Sequence, residues 1–256
     1  MEKYIIIILI LIVLFYLYKS IIVTQHFKND TDWSDNWTQL DFKAREGDNC
    51  YPIKKEYKKF GAINSWLWTM PTSCENGLPH TRNKDIIAIP EGFLQSRLPK
   101  TIEHEKIHLH QRRNPQVWKK FYKKYWNYEI FQNPPLSMPQ ELIKMKRANP
   151  DTNDAPFACW KNKWWSVPIY KSVNELKFRD CKVKWWNQET NKIHSEPPNE
   201  WVSFFGSKVS QAEHPHEISA VYITNILFDN ILNKNILASN ILNKKWNKIS
   251  EKLSNI

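Results

Sequence analysis

The five residues His104-Glu105-Lys106-Ile107-His108 constrain this chain more than any other stretch. Two histidines four positions apart face the same way on an α-helix, where about one turn separates them. There both imidazoles can bind one metal ion, and Glu105, one step round the helix, reaches a water on that ion. The pattern therefore asks for a helix here. It also asks for a third ligand from elsewhere, because a catalytic zinc site takes three protein ligands and leaves one position open.

The flanking residues supply the helix. Pro99-Lys100-Thr101 reads as its start, with Thr101 as N-cap and Glu103 in the first turn, and Asn114-Pro115 stops it after about Arg113. Just upstream, Asp85 to Ile89, ended by Pro90 and Gly92, has the β-branched content and length of a strand. Downstream, Gln116 to Phe131 keeps a helical pattern in which Trp118, Phe121, Tyr122, Tyr125, Trp126 and Tyr128 alternate with Lys119, Lys120, Lys123 and Lys124. An amphipathic helix with its aromatics inward accounts for this pattern better than a basic aromatic face for nucleic acid or membrane. Gln140 to Arg147 reads as a short helix. The Trp and Val residues from Trp160 to Trp186 read as two to four strands, either core or walls of a cleft.

The third ligand is sought further on. His110 lies about 200° round the helix from His108 and cannot easily share an ion with it. A glycine at 111 with His or Asp at 114 would extend the site along the same segment, but the chain has Gln111 and Asn114. Gln211 to Ile226 begins like a second helix, with Pro215 at a first-turn position where its missing N–H is harmless. Glu217 falls early on it, and small Ala220 one turn on would let the two helices approach closely. Glu217 is thus the expected third ligand, ahead of His214 and His216.

Length and composition set the surroundings. With 256 residues and 41% hydrophobic side chains, the chain can build one well-buried domain with appendages. Thirteen Trp, ten Tyr and twelve Phe exclude a disordered chain. The formal charge of +11 favours acidic partners without choosing among them. Tyr4 to Tyr18 is apolar or aromatic throughout, and Ile21 to Val23 extends the run to the length of a membrane-spanning helix. Residues 1–23 are therefore expected to be an uncleaved transmembrane anchor. Residues 24–48 read as a polar stalk and 49–228 as the domain. Residues 229–256 read as a low-complexity, helical tail built on the Asn-Ile-Leu repeat. Cys50, Cys74, Cys159 and Cys181 form no CxxC pair, which argues against a thiolate zinc site. Disulfides Cys50–Cys74 and Cys159–Cys181, and four free thiols, stay open as alternatives.

HEKIH on one helix and a glutamate on a later one resemble the gluzincin branch of the HExxH zinc metallopeptidases (zincins). The resemblance covers the two helices and not the whole chain. Residues His216-Glu217-Ile218-Ser219-Ala220-Val221 lack the Asn, Ser and Asp that thermolysin-type enzymes place around the third ligand. It implies an α+β fold in which the active-site helix lies under a small sheet, with the Trp-rich β region as an insert. It implies Zn2+ held by His104, His108 and Glu217, Glu105 as general base, and Asp85 to Ile89 as an edge strand that pairs with an extended substrate. Tyr222, His214, His216 and His110 are the candidates for an oxyanion donor.

The expected protein is thus a membrane-anchored zinc peptidase acting on a peptide or protein, with its domain on the extracytoplasmic or lumenal side. The alternative is a non-catalytic membrane-anchored binding or viral entry protein whose zinc site is structural or vestigial. Nucleic acid is not an expected partner, because the apolar N-terminus assigns the chain to a membrane.

Overall fold

A computed structural model of the chain describes residues 36–60, 63–83, 85–207 and 209–232. The expected anchor, the stalk before residue 36 and the tail beyond residue 232 lie outside the described residues. Among the described residues no helix is long and apolar enough to cross a membrane.

The fold is α+β with two sheets. The first sheet holds β1 (Lys54–Phe60), β2 (Ile63–Met70), β3 (His80–Arg82) and β4 (Ile86–Pro90) in the order β1-β2-β4-β3. Strand β4 runs parallel to β2 and antiparallel to β3. It is buried along its whole length, and its side chains alternate between two cores. Ile87 and Ile89 pack with Ile102 and Leu109 of the motif helix, while Ile86 and Ala88 pack with Trp68, Met70 and Cys74 on the opposite face. A near-continuous apolar run is what a strand covered on both faces requires. The segment expected as an edge strand is therefore interior. The edges fall to β1 and to β3, the latter a three-residue strand too short and polar for periodicity to reveal.

The second sheet is an antiparallel meander of β5 (Tyr128–Phe131), β6 (Phe157–Trp160), β7 (Trp164–Ile169), β8 (Lys182–Asn187) and β9 (Lys192–His194). Successive side chains of a strand point to opposite faces, so each Trp-Trp pair delivers one indole to each side. Trp164 and Trp185 enter the large aromatic core, and Trp165 and Trp186 enter a second core with Met138, Leu142 and Phe157. The aromatic core also takes Trp118, Phe121, Tyr122, Trp126, Trp201 and Phe205, which agrees with the inward reading of those rings.

The described residues also hold six α-helices: α1 (Gln39–Ala44), α2 (Leu98–Arg113), α3 (Pro115–Phe121), α4 (Gln140–Met145), α5 (Asn199–Phe205) and α6 (Pro215–Leu232). Helix α2 begins one turn before Thr101, with Arg97 at its N-cap and Pro99 in its first turn, where no backbone donor is lost. The expected helix from Gln116 to Phe131 is shorter than its pattern. It passes through a π-helical turn at Tyr122–Trp126 and stops at Asn127, whose left-handed backbone (φ 56°) opens strand β5.

Part of the expected stalk packs onto the domain. Thr38 caps α1, and Asp41 and Arg45 are buried. The Arg45 guanidinium grips Glu75 in two-pronged fashion, at 2.7 and 3.0 Å, and reaches Asp41 Oδ1 at 3.1 Å. Cys50 and Cys74 form a disulfide, and Cys159 and Cys181 are free thiols.

Candidate metal centre

Helices α2 and α6 pack along each other and bring the motif to Glu217. The contact is polar where they meet: Gln111 Nε2 donates to Ser219 Oγ at 2.8 Å and to the His216 carbonyl at 3.0 Å. Ser219 and Ala220 are both fully buried, so small residues do line this face of α6, as the close approach of two helices demands.

Three ligand atoms converge there. His104 Nε2 and His108 Nε2 are 3.0 Å apart, and Glu217 Oε2 lies 3.5 Å from the first and 3.4 Å from the second. Ligand atoms on a tetrahedral zinc with bonds of 2.0–2.1 Å are about 3.3 Å apart. The observed triangle has a circumscribed radius of about 1.9 Å, so one point can lie at zinc-bond distance from all three atoms. Glu217 Oε2 is buried and accepts no hydrogen bond of acceptable geometry. A buried carboxylate oxygen left this way is costly unless a cation faces it, so the group fits a metal ion.

Neighbouring amides orient two of the ligands. Gln111 spends its amide donors on His216 and Ser219, so its Oε1 accepts from His108 Nδ1 at 2.8 Å. That puts the proton of His108 on Nδ1 and the lone pair on Nε2, toward the other ligands. Asn149 Nδ2 donates to Glu217 Oε1 at 2.7 Å, leaving Oε2 as the ligand atom. Neither amide stands out in the sequence: Gln111 shows only as a residue three positions past His108, and Asn149 shows no signal at all.

The electrostatics favour a cation. Burial opposes charge on His108, but the Glu217 carboxylate, then Asp151, hold its pKa up at about 10. Burial also opposes charge on Glu217, yet the His108 and His104 imidazoles keep its carboxyl well below the usual range. Glu105 behaves differently: burial first, then the Asp151 charge, push its carboxyl well above that range.

A second group of possible ligands, Glu105, His108 and Asp151, shares His108 with the first. It is the poorer set, because Asp151 Oδ1 already accepts from Thr81 N at 2.8 Å and Thr81 Oγ1 at 2.6 Å.

The ligand group opens onto a cleft of about 470 Å³ whose walls include His104, Glu105, Asn149, Asp151 and Glu217. The His104 side chain is 17% exposed and is the ligand that faces outward, against 0% and 2% for His108 and Glu217. Glu105 Oε2 is buried without a hydrogen-bond partner.

The other histidines are engaged elsewhere. His214 Nε2 bonds the Ala155 carbonyl at 2.9 Å while its Nδ1 accepts from His216 N at 3.1 Å. The His216 ring packs on Tyr122. His110 Nδ1 accepts from Trp118 Nε1 at 3.0 Å, on the far side of α2 as its helical position requires. Tyr222 donates its hydroxyl to the Phe205 carbonyl. None of these four expected oxyanion donors is among the residues that line the cleft.

No protein-family model, curated protein or solved structure matches the chain.

Proposed function

We propose that the chain is a zinc-dependent peptidase held at a membrane by residues 1–23, with its domain on the extracytoplasmic or lumenal side. The observation that carries this reading is the meeting of three potential ligand atoms from two helices, beside a second buried carboxylate without a partner, Glu105, where His104, Glu105 and Glu217 line one open cleft. Zinc, when bound, supplies a Lewis acid that acidifies a water and polarises a carbonyl.

The chain's own residues supply the rest. His104 and His108 offer their Nε2 atoms, His108 giving up its Nε2 proton to the ion, and Glu217 offers Oε2, each turned by its helix or an amide partner. Glu105 takes a proton from the attacking water at its free Oε2 and hands it to the departing amine. A structural zinc site has no use for that carboxylate and is closed on all sides. Here Glu105 and His104 both line a cleft, which favours the catalytic reading over the binding-protein alternative.

The test is metal content and hydrolysis in the same preparations. Wild type should hold about one zinc per chain and cut a susceptible peptide from a mixed library. His104→Ala should lose the metal, while Glu105→Gln should keep it and lose cleavage by several orders of magnitude. Well-folded wild type without zinc, or Glu105→Gln as active as wild type, would refute the proposal.

A further inference from the structure

Helix α2 carries more than ligands along its cleft face. Arg97, Lys100, Thr101 and His104 all line the cleft, at the spacings of three and four that place residues in one row of a helix. This row exists because α2 starts at Leu98 instead of Thr101. Lys100 therefore stands about 6 Å along the axis from His104, and Arg97 about 10 Å.

These are the uncompensated charges of the cleft. The cleft's third cation, Arg147, has Glu213 3.5 Å away. Of its acidic groups, Glu75 is gripped by Arg45, Asp151 accepts from Thr81 and Glu217 faces the two imidazoles, while Glu105, the carboxylate without a partner, is buried at the metal centre. Arg97 and Lys100 are exposed, and among the described residues neither makes an ion pair or a side-chain hydrogen bond.

We infer that Arg97 and Lys100 recognise a carboxylate on the bound peptide, from an acidic side chain or a free C-terminus, two or three residues from the bond at the metal centre. The inference rests on the peptidase reading for its substrate class. The distance follows from the chain: an extended peptide advances about 3.3 Å per residue, so 6–10 Å corresponds to that interval. The cations would also draw such peptides to the cleft ahead of neutral ones.

The experiment is peptide binding by fluorescence anisotropy to the full-length, zinc-loaded Glu105→Gln chain, which holds peptide without cutting it. Four versions of one labelled heptapeptide are compared: Asp or Asn three residues from the C-terminus, each as free acid or C-terminal amide. At least one carboxylate should tighten binding roughly 5- to 20-fold over the neutral amide, and 0.5 M salt should erase most of the gain. If the Asp side chain gives the gain, that is the carboxylate read; if the free acid does, it is the terminus. Arg97→Ser with Lys100→Ser should abolish the difference, while Lys119→Ser with Lys120→Ser, away from the cleft, should not.

Equal affinity for all four peptides, or a preference that survives loss of Arg97 and Lys100, overturns the inference. Wild type that binds acidic peptides but cuts none in a broad library would remove the peptidase reading and leave carboxylate recognition standing. Wild type that cuts acidic and neutral peptides equally would do the reverse.

Discussion

The side-chain amide of Asn149 donates to Glu217 Oε1 at 2.7 Å, and this one bond decides which oxygen of the carboxylate meets the two histidines. Asn149→Ala should therefore weaken zinc binding about 10- to 100-fold, the usual effect of losing a partner that orients a metal ligand. Competition against a chromophoric chelator measures it. Unchanged affinity would mean that Glu217 is held by its helix alone.

Metal removal should be felt as stability. At a zinc concentration 100 times its dissociation constant, binding to the folded state adds about 2.7 kcal/mol. Chelation should lower the unfolding midpoint of wild type by several degrees and leave that of His104→Ala in place. A wild-type melt indifferent to chelator would show that the three ligands hold no ion.

His80 should make the domain acid-sensitive. Its Nδ1 faces the Leu78 carbonyl at 3.0 Å, and its Nε2 accepts from Arg82 Nε at 3.1 Å, so a second proton has nowhere to go. Burial, and next the Arg82 charge, push its pKa down from 6.5 to about 3. The unfolded chain then binds a proton that the folded chain refuses, so the stability from neutral His80 is complete above pH 6.5 and is lost as pH falls toward 3. The loss should approach roughly 1 kcal/mol per pH unit below pH 6. Urea melts from pH 7 to pH 4 check it against His80→Gln, whose amide does not titrate; parallel pH profiles would refute the assignment.

Arg45 should be a large stability determinant although it lies in the stretch that reads as stalk. Arg45→Met would strand Glu75 and Asp41, both buried, without their cation. Breaking a buried pair from one side costs about 3–5 kcal/mol. Chemical denaturation should show a shift of that size. Restoring neutrality with Glu75→Gln in the same chain should recover part of it.

The motif helix and Glu217 were legible because both are local: a four-residue spacing, a proline in a first turn and a small residue one turn on. The inward aromatics of Trp118 to Trp126 were legible for the same reason. What eluded the sequence depends on partners distant in the chain. Strand β4 has the composition of any buried strand, and only its pairing with both β2 and β3 makes it interior. Helix α2 extends back to Leu98 because its first turn tolerates Pro99, which outweighs the capping signal of Thr101. The pattern through Phe131 continues in hydrophobicity but not in backbone, since the left-handed Asn127 breaks it. Asn149 and Gln111 became recognisable only once Glu217 and His108 stood beside them.

The ligands of the metal centre lie on either side of the whole second sheet in the chain, with His104 and His108 before β5 and Glu217 after β9. A chain emerging from the ribosome therefore holds two histidines long before it holds a site. Any product truncated before α6 lacks the third ligand however well its first sheet forms. If these residues hold zinc as proposed, occupancy by metal would report on completion: it would mark chains that have been made through residue 217 and have brought the two helices together across the Trp-rich meander.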